Sequence, residues 1–304
     1  MSLHPMVHPR RFAALCAVAA VGLGMSFMQA GGAPAAYVAM NGAALLIGLL
    51  ALGVIVDARR IVSLPAHLLS IILAALLLAV SMWGVSADGV TRWISLGGLV
   101  LQPSLVLVPI LVLGLVRSRD GLSILAVTIA AVALALQPDR AMAAALAAGL
   151  VPIAWAGRGR RELGALAVAL IGLAITMIRP DPSPAMPFVD RILFTSFSVH
   201  PLAGLAVWCG AALMLVPAIA GFAGDRDQRL GWLAFGAIWL TVIVAAALGN
   251  YPTPLVGYGG SAILGYMLSI IALPPRINAK AIVSAEETNR FDADGAGTFR
   301  AGLA

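Results

Sequence analysis

The stretch TRWISLGGLVLQPS, residues 91–104, puts an arginine, a tryptophan, a glutamine and a proline between two long apolar runs. What those four residues are for depends on what the runs are. The chain of 304 residues is 61% hydrophobic and 11% charged, with a mean hydropathy of +1.00. A soluble domain carries about a quarter charged residues. A bilayer is the solvent such a composition demands, and each helical crossing needs ~20 mainly apolar residues. The expected fold class is therefore an all-α integral membrane protein. The formal charge of +6 is spread over loops and is not a nucleic-acid signal.

Apolar runs near 12–29, 36–56, 65–85, 98–116, 121–137, 140–157, 162–178, 200–222, 229–249 and 255–273 predict about ten transmembrane helices. The breaks fall at charge clusters: DARR (57–60), RSRDG (117–121), GRGRRE (157–162) and GDRDQR (224–229). Fifteen of the nineteen Lys and Arg residues belong to the N-terminus, the even-numbered loops and the tail. Arg92, Arg140, Arg179 and Arg191 make up the rest. Positive loops stay cytoplasmic, so both termini are expected inside. Residues 1–273 then form one polytopic domain, and the polar residues 274–304 a flexible cytoplasmic tail. The first apolar run reads as a retained span, with a cleaved signal peptide ending near GGAPAA as the alternative.

Cys16 and Cys209 both lie within apolar runs, and the four histidines are scattered. That pattern gives no disulfide framework and no metal site built from His or Cys.

The outer face holds four arginines and four acids, Asp88, Asp139, Asp181 and Asp190. Ionisable groups near membrane depth are commonly functional. Arg92 beside Trp93 could hold a phosphate, or the pair could be an ordinary interfacial anchor. Pro138 and Asp139 can start a helix, with Asp139 as its cap. Residues 179–187 are rich in proline and predict a stiff extended loop, after which FVDRILF sets Asp190 and Arg191 where an apolar pattern resumes. A partly desolvated Asp190 could serve as a general base, or pair with Arg191 or Arg179. GNYPTPLVGYGGSAILGY (249–266) breaks the helical backbone with prolines and glycines, which a membrane tolerates only beside protein or a wet cavity.

Three of these segments, in order, resemble motifs of the SEDS family (shape, elongation, division and sporulation; FtsW-, RodA- and SpoVE-like proteins). GVTRWISLGGLVLQPS is similar to the family's Gly-Ala-x-Arg-Trp start and Gln-Pro-Ser-Glu end. LQPDRA is similar to Leu-Gln-Pro-Asp-x-Gly-Thr, and PTPLVGYGGSAIL to Leu-Pro-x-(Ile/Val)-Ser-Tyr-Gly-Gly-Ser-Ser. The resemblance implies a multi-pass protein of the bacterial cytoplasmic membrane that polymerises lipid II glycan on the outer face, in cell division or cell shape. It also implies a class B penicillin-binding protein as partner. It assigns catalysis to Asp190, fourteen residues before Gly204, and substrate binding to Arg92, Trp93, Gln102, Asp139, Arg191, Tyr258, Gly259, Gly260 and Ser261.

The chain also departs from the family. Leu105 replaces its Glu, Arg140 and Ala141 follow QPD, Ser198 and Val199 stand at two Glu positions, and 179–189 is a shortened loop. Losing those acids would remove a divalent-cation site or the frame around a base. A catalytically degenerate scaffold or regulator of cell-wall enzymes is the alternative. A transporter of a lipid-linked substrate is a further one.

Overall fold

The computed structural model describes residues 9–58, 65–87, 89–97, 99–179, 181 and 183–274. The tail expected over 274–304 lies outside them apart from Pro274. The helices are α1 (Pro9–Ala30), α2 (Ala35–Ala58), α3 (Ala66–Trp83), α4 (Pro103–Ser118), α5 (Gly121–Leu136) and α6 (Arg140–Gly157). They continue with α7 (Arg160–Ile178), α8 (Ile192–Val199), α9 (Pro201–Gly224), α10 (Arg229–Leu248) and α11 (Gly260–Ala272). Each apolar run read from the sequence contains a helix. Among the described residues seven helices, namely α1, α2, α3, α6, α7, α9 and α10, are long and apolar enough to cross a membrane, while α4, α5 and α11 are shorter.

Two elements differ from the sequence reading. Three strands, β1 (Val85–Ala87), β2 (Val90–Leu96) and β3 (Leu99–Leu101), form an antiparallel meander, so the helix expected from 98 begins only at Pro103. The alternation in VTRWISL and the glycine turns, with Gly89 and Gly97 at positive φ, favour a hairpin over a helix. Pro103 then supplies the preset φ of a first helical turn. The second is α8, which folds back on α9. The Trp208 indole donates to the Leu193 carbonyl at 2.7 Å, and Gly204 leaves room for the Phe197 ring.

Lipid is as apolar as a leucine side chain, so these helices are held by close packing and interhelical hydrogen bonds rather than by burial from water. α1 lies against α9, α3 against α5, α6 against α7 and α10, and α11 against α2 and α4. Gly265 lets α11 approach the Leu105 carbonyl of α4, where any side chain would collide. At the centre Tyr266 meets Phe235 and Trp239 edge-on, with centroids 5.2 Å apart in each pair. Its hydroxyl donates to the Met214 carbonyl at 2.8 Å. Trp239 donates to the Ser269 hydroxyl at 3.2 Å, which joins α10 to α11.

Candidate functional site

The two proline-rich loops, 181–191 and 249–259, are built into one another. The Thr253 amide donates to the Val189 carbonyl at 3.0 Å and the Tyr258 amide to the Phe188 carbonyl at 2.7 Å, while Asp190 and Pro252 pair as an antiparallel bridge. Phe188, Arg191 and Leu255 all take positive φ near 60°. Such left-handed conformations are strained for non-glycine residues and gather at functional sites.

Asp190 sits buried in this joint. Its Oδ2 accepts the Met186 amide at 2.8 Å. Its Oδ1 is buried with no hydrogen-bond partner among the described residues. Burial pushes the Asp190 carboxyl above the ordinary aspartate value; the Met186 amide and Arg92 oppose that rise, and Asp181 adds to it. Arg191 is exposed and starts α8 in a left-handed conformation.

Arg92 is not open to a ligand. Its Nη1 lies 3.1 Å from Asp181 Oδ2, and the two side chains are 4% and 6% exposed. Its Nη2 reaches the Ser183 hydroxyl at 3.4 Å, and the guanidinium stacks 4.6 Å from the centroid of the half-buried Trp93 ring. Tyr251 completes the group by donating to Asp181 Oδ2 at 3.2 Å. Burial, then the Asp181 charge, push the Tyr251 hydroxyl up to about 12, so it stays a donor through neutral pH. Arg92 therefore neutralises a buried carboxylate and anchors the proline loop to β2.

Gln102, Asp139 and Ser261 come together elsewhere, as a buried clasp between helix starts. Asp139 Oδ1 accepts the Met142 amide at 3.2 Å and so caps α6. Its Oδ2 accepts from Gln102 Nε2 at 2.9 Å and from the Ser104 hydroxyl at 2.6 Å. The Gln102 amide donates to the Ser261 hydroxyl at 2.9 Å, bringing in α11. Tyr258 stacks on Tyr37 with centroids 3.8 Å apart. Asn41 of α2, buried, donates to the Gly257 carbonyl at 2.8 Å and accepts the Gly259 amide at 3.1 Å. Gly260 opens α11 directly after this tether.

A cleft of about 570 Å³ opens beside the Asp181 group. It is lined by apolar side chains, among them Ala141 of α6, Met177 of α7 and Val244 of α10, and by the polar groups of Arg140, Asp181, Asn250 and Tyr251. Arg140 donates to the Thr176 carbonyl at 2.9 Å and to the Arg179 carbonyl. Arg179 in turn donates to the Ala135 carbonyl at 3.0 Å. Arg140 and Arg179 thus cap the C-terminal ends of α7 and α5, where cations are favoured. Asp190 is not on the cleft wall.

Sequence reasoning missed Asp181, Asn250, Tyr251 and Asn41 as parts of this arrangement. The only sequence cue to Asn41 is a lone amide within an apolar run. Among the described residues no three His, Cys, Asp or Glu side chains gather as metal ligands. Arg92 already occupies Asp181, so that carboxylate offers a divalent cation no free ligand.

The architecture has known counterparts. The crystal structure of the Thermus thermophilus rod shape determining protein RodA matches over 86% of this chain and 94% of its own, at TM-score 0.58 and 22% identity. A variant of that protein with an aspartate replaced by alanine matches over 86% and 95%, at TM-score 0.58 and 23% identity. The chain has the RodA fold. Neither a protein-family model nor a curated protein matches it.

Proposed function

We propose that this chain is a SEDS-type protein of bacterial peptidoglycan synthesis, crossing the cytoplasmic membrane ten times with both termini inside. It polymerises lipid II glycan on the outer face beside a class B penicillin-binding protein. The observation that carries this reading is Asp190: a buried carboxylate with one oxygen unpartnered and its pKa raised, set in a RodA-like fold. A base works best when its pKa approaches the working pH, and burial moves Asp190 that way. Asp190 takes the proton from a sugar 4-hydroxyl while that oxygen bonds to the anomeric carbon of the growing chain. The bond from that carbon to the lipid pyrophosphate breaks, and the leaving group carries off the negative charge. The cleft's apolar lining suits a lipid tail and Arg140 among its lining residues suits the pyrophosphate, with exposed Arg191 beside Asp190 a second cation. Arg92, Gln102, Asp139 and Ser261 act as frame, and Trp93, Tyr258, Gly259 and Gly260 shape the loops around the substrate.

A second reading, a scaffold for cell-wall enzymes, is favoured by one observation: Asp190 does not line the cleft. The two separate on replacement of the native copy by Asp190→Asn at equal membrane abundance. Loss of the growth or shape phenotype supports the polymerase, and full retention supports the scaffold.

A further inference from the structure

The hairpin of β2 and β3 has a buried base and a bare tip. Val90 and Arg92 are buried, whereas Leu96 is 57% and Val100 64% exposed, with Leu99 exposed beside them. No charged residue occurs between Arg92 and Arg117. In water such a tip would be a pairing and aggregation hazard, because it joins apolar side chains to a free strand edge.

The chain around the tip says what covers it. α3 ends at Trp83, 79% exposed, and β1 begins two residues later; α4 begins two residues after β3. β3 has 3 residues, so at ~3.3 Å per residue the tip lies within about 15 Å of the first turn of α4. α4 has 16 residues and at 1.5 Å each spans about 24 Å, short of the ~30 Å hydrocarbon layer. The apolar run of α4 continues outward into Leu99, Val100 and Leu101, which brings β3 to the edge of that layer. The exposed side of α3, Leu76 to Trp83, forms the adjoining apolar surface.

We propose that the β2–β3 tip is a membrane-surface anchor, with Leu96, Leu99 and Val100 inserted at the headgroup–acyl boundary of the leaflet at this end of the molecule. The free edge of β3 stays at headgroup depth, since an open sheet edge is not tolerated in hydrocarbon. Trp83 sits at the same level, as interfacial tryptophans do. Because β2 also carries Arg92, the anchor sets the depth of the Arg92–Asp181 pair against the lipid surface. The inference rests on the reading of the chain as a multi-pass membrane protein, and its test separates the two.

The full chain with exposed Cys209 replaced by serine is given a single new cysteine at Val100, Ser86 or Leu76. Each is labelled with an environment-sensitive fluorophore and reconstituted into phosphatidylcholine–phosphatidylglycerol vesicles. Lipids carrying a nitroxide near the headgroup or along the acyl chain, and aqueous iodide, serve as quenchers. The anchor predicts that Val100→Cys loses fluorescence to headgroup-proximal nitroxide and is shielded from iodide, that Leu76→Cys is quenched from the acyl chain, and that Ser86→Cys responds to iodide. If Val100→Cys follows Ser86→Cys while Leu76→Cys remains lipid-quenched, the anchor is overturned and the membrane reading stands. Resistance of Val100→Cys to both quenchers would mean a protein covers the tip, which also overturns it. Failure of lipid quenching at Leu76→Cys would remove both.

Discussion

At Asp190 one carboxylate oxygen closes its own turn and the other has no described donor, while burial raises the pKa. In a raised group the protonated form is the one the fold favours. Its contribution to stability is complete in acid, below the ordinary aspartate value, and is lost as pH rises through the raised one. At neutral pH the ionised side chain is therefore a cost. Asp190→Asn should leave the melting temperature unchanged or higher, while glycan synthesis falls by ~10²–10⁴. Thermal unfolding beside a turnover assay checks both. The same shift places the acid limb of the wild-type pH–rate profile above the usual aspartate range, with activity rising as Asp190 ionises. Arg92→Ala behaves differently, because it strands Asp181 in a buried site. It should cost about 3–5 kcal/mol in detergent unfolding, and adding Asp181→Asn should recover part of the loss. Arg92, Asp139 and Asp190 stood out in the sequence because charge is so scarce on one side of the chain. Which of them pair with which did not follow from that. Asp181 is 89 positions from Arg92, and hydropathy says nothing about where a proline loop folds.

Among the elements, the apolar runs were legible because ~20 apolar residues carry their own meaning in a membrane protein. The β2 hairpin was not, although VTRWISL alternates and is flanked in sequence by the dipeptides Asp88-Gly89 and Gly97-Gly98. The apolar tip reads as the start of α4. α8 was hidden by its 8-residue length and by the proline that starts α9. The clasp at Asp139 joins three helix starts, so its loss is felt beyond one cap. Asp139→Ala should cost about 2–4 kcal/mol: ~1 for the cap, the rest for the buried Ser104 hydroxyl left without its acceptor and Gln102 Nε2 left with Ser104 alone. Asp139→Asn should cost less, since it keeps an oxygen. Helix contact offers a paired test. Gly265→Ala drives a methyl into the Leu105 carbonyl and should cost about 1–3 kcal/mol, whereas Gly53→Ala meets nothing within 4 Å and should be neutral or stabilising. Thermal unfolding of the two variants in one detergent compares them directly.

At the scale of the whole molecule, the RodA fold joins a helical body to loops that converge at one end around Asp190, the Arg92–Asp181 pair and the cleft. Sidedness rests on a count of charges: fifteen of nineteen basic residues on one set of loops. Single cysteines at Ser86 and at Asp225, probed with an impermeant thiol reagent on spheroplasts, should label only at Ser86→Cys. The fold could be read from the chain because composition and loop charge are properties of long segments. Chemistry depends instead on a few side chains brought together from distant loops, and there the sequence supplied names without contacts. The central claim is that this arrangement makes glycan. Purified protein in nanodiscs with a class B penicillin-binding protein and lipid II, the products resolved on a gel, tests that most directly. Polymer from the wild type and none from equally well-folded Asp190→Asn is the predicted result. Polymer from both, or from neither, would contradict it.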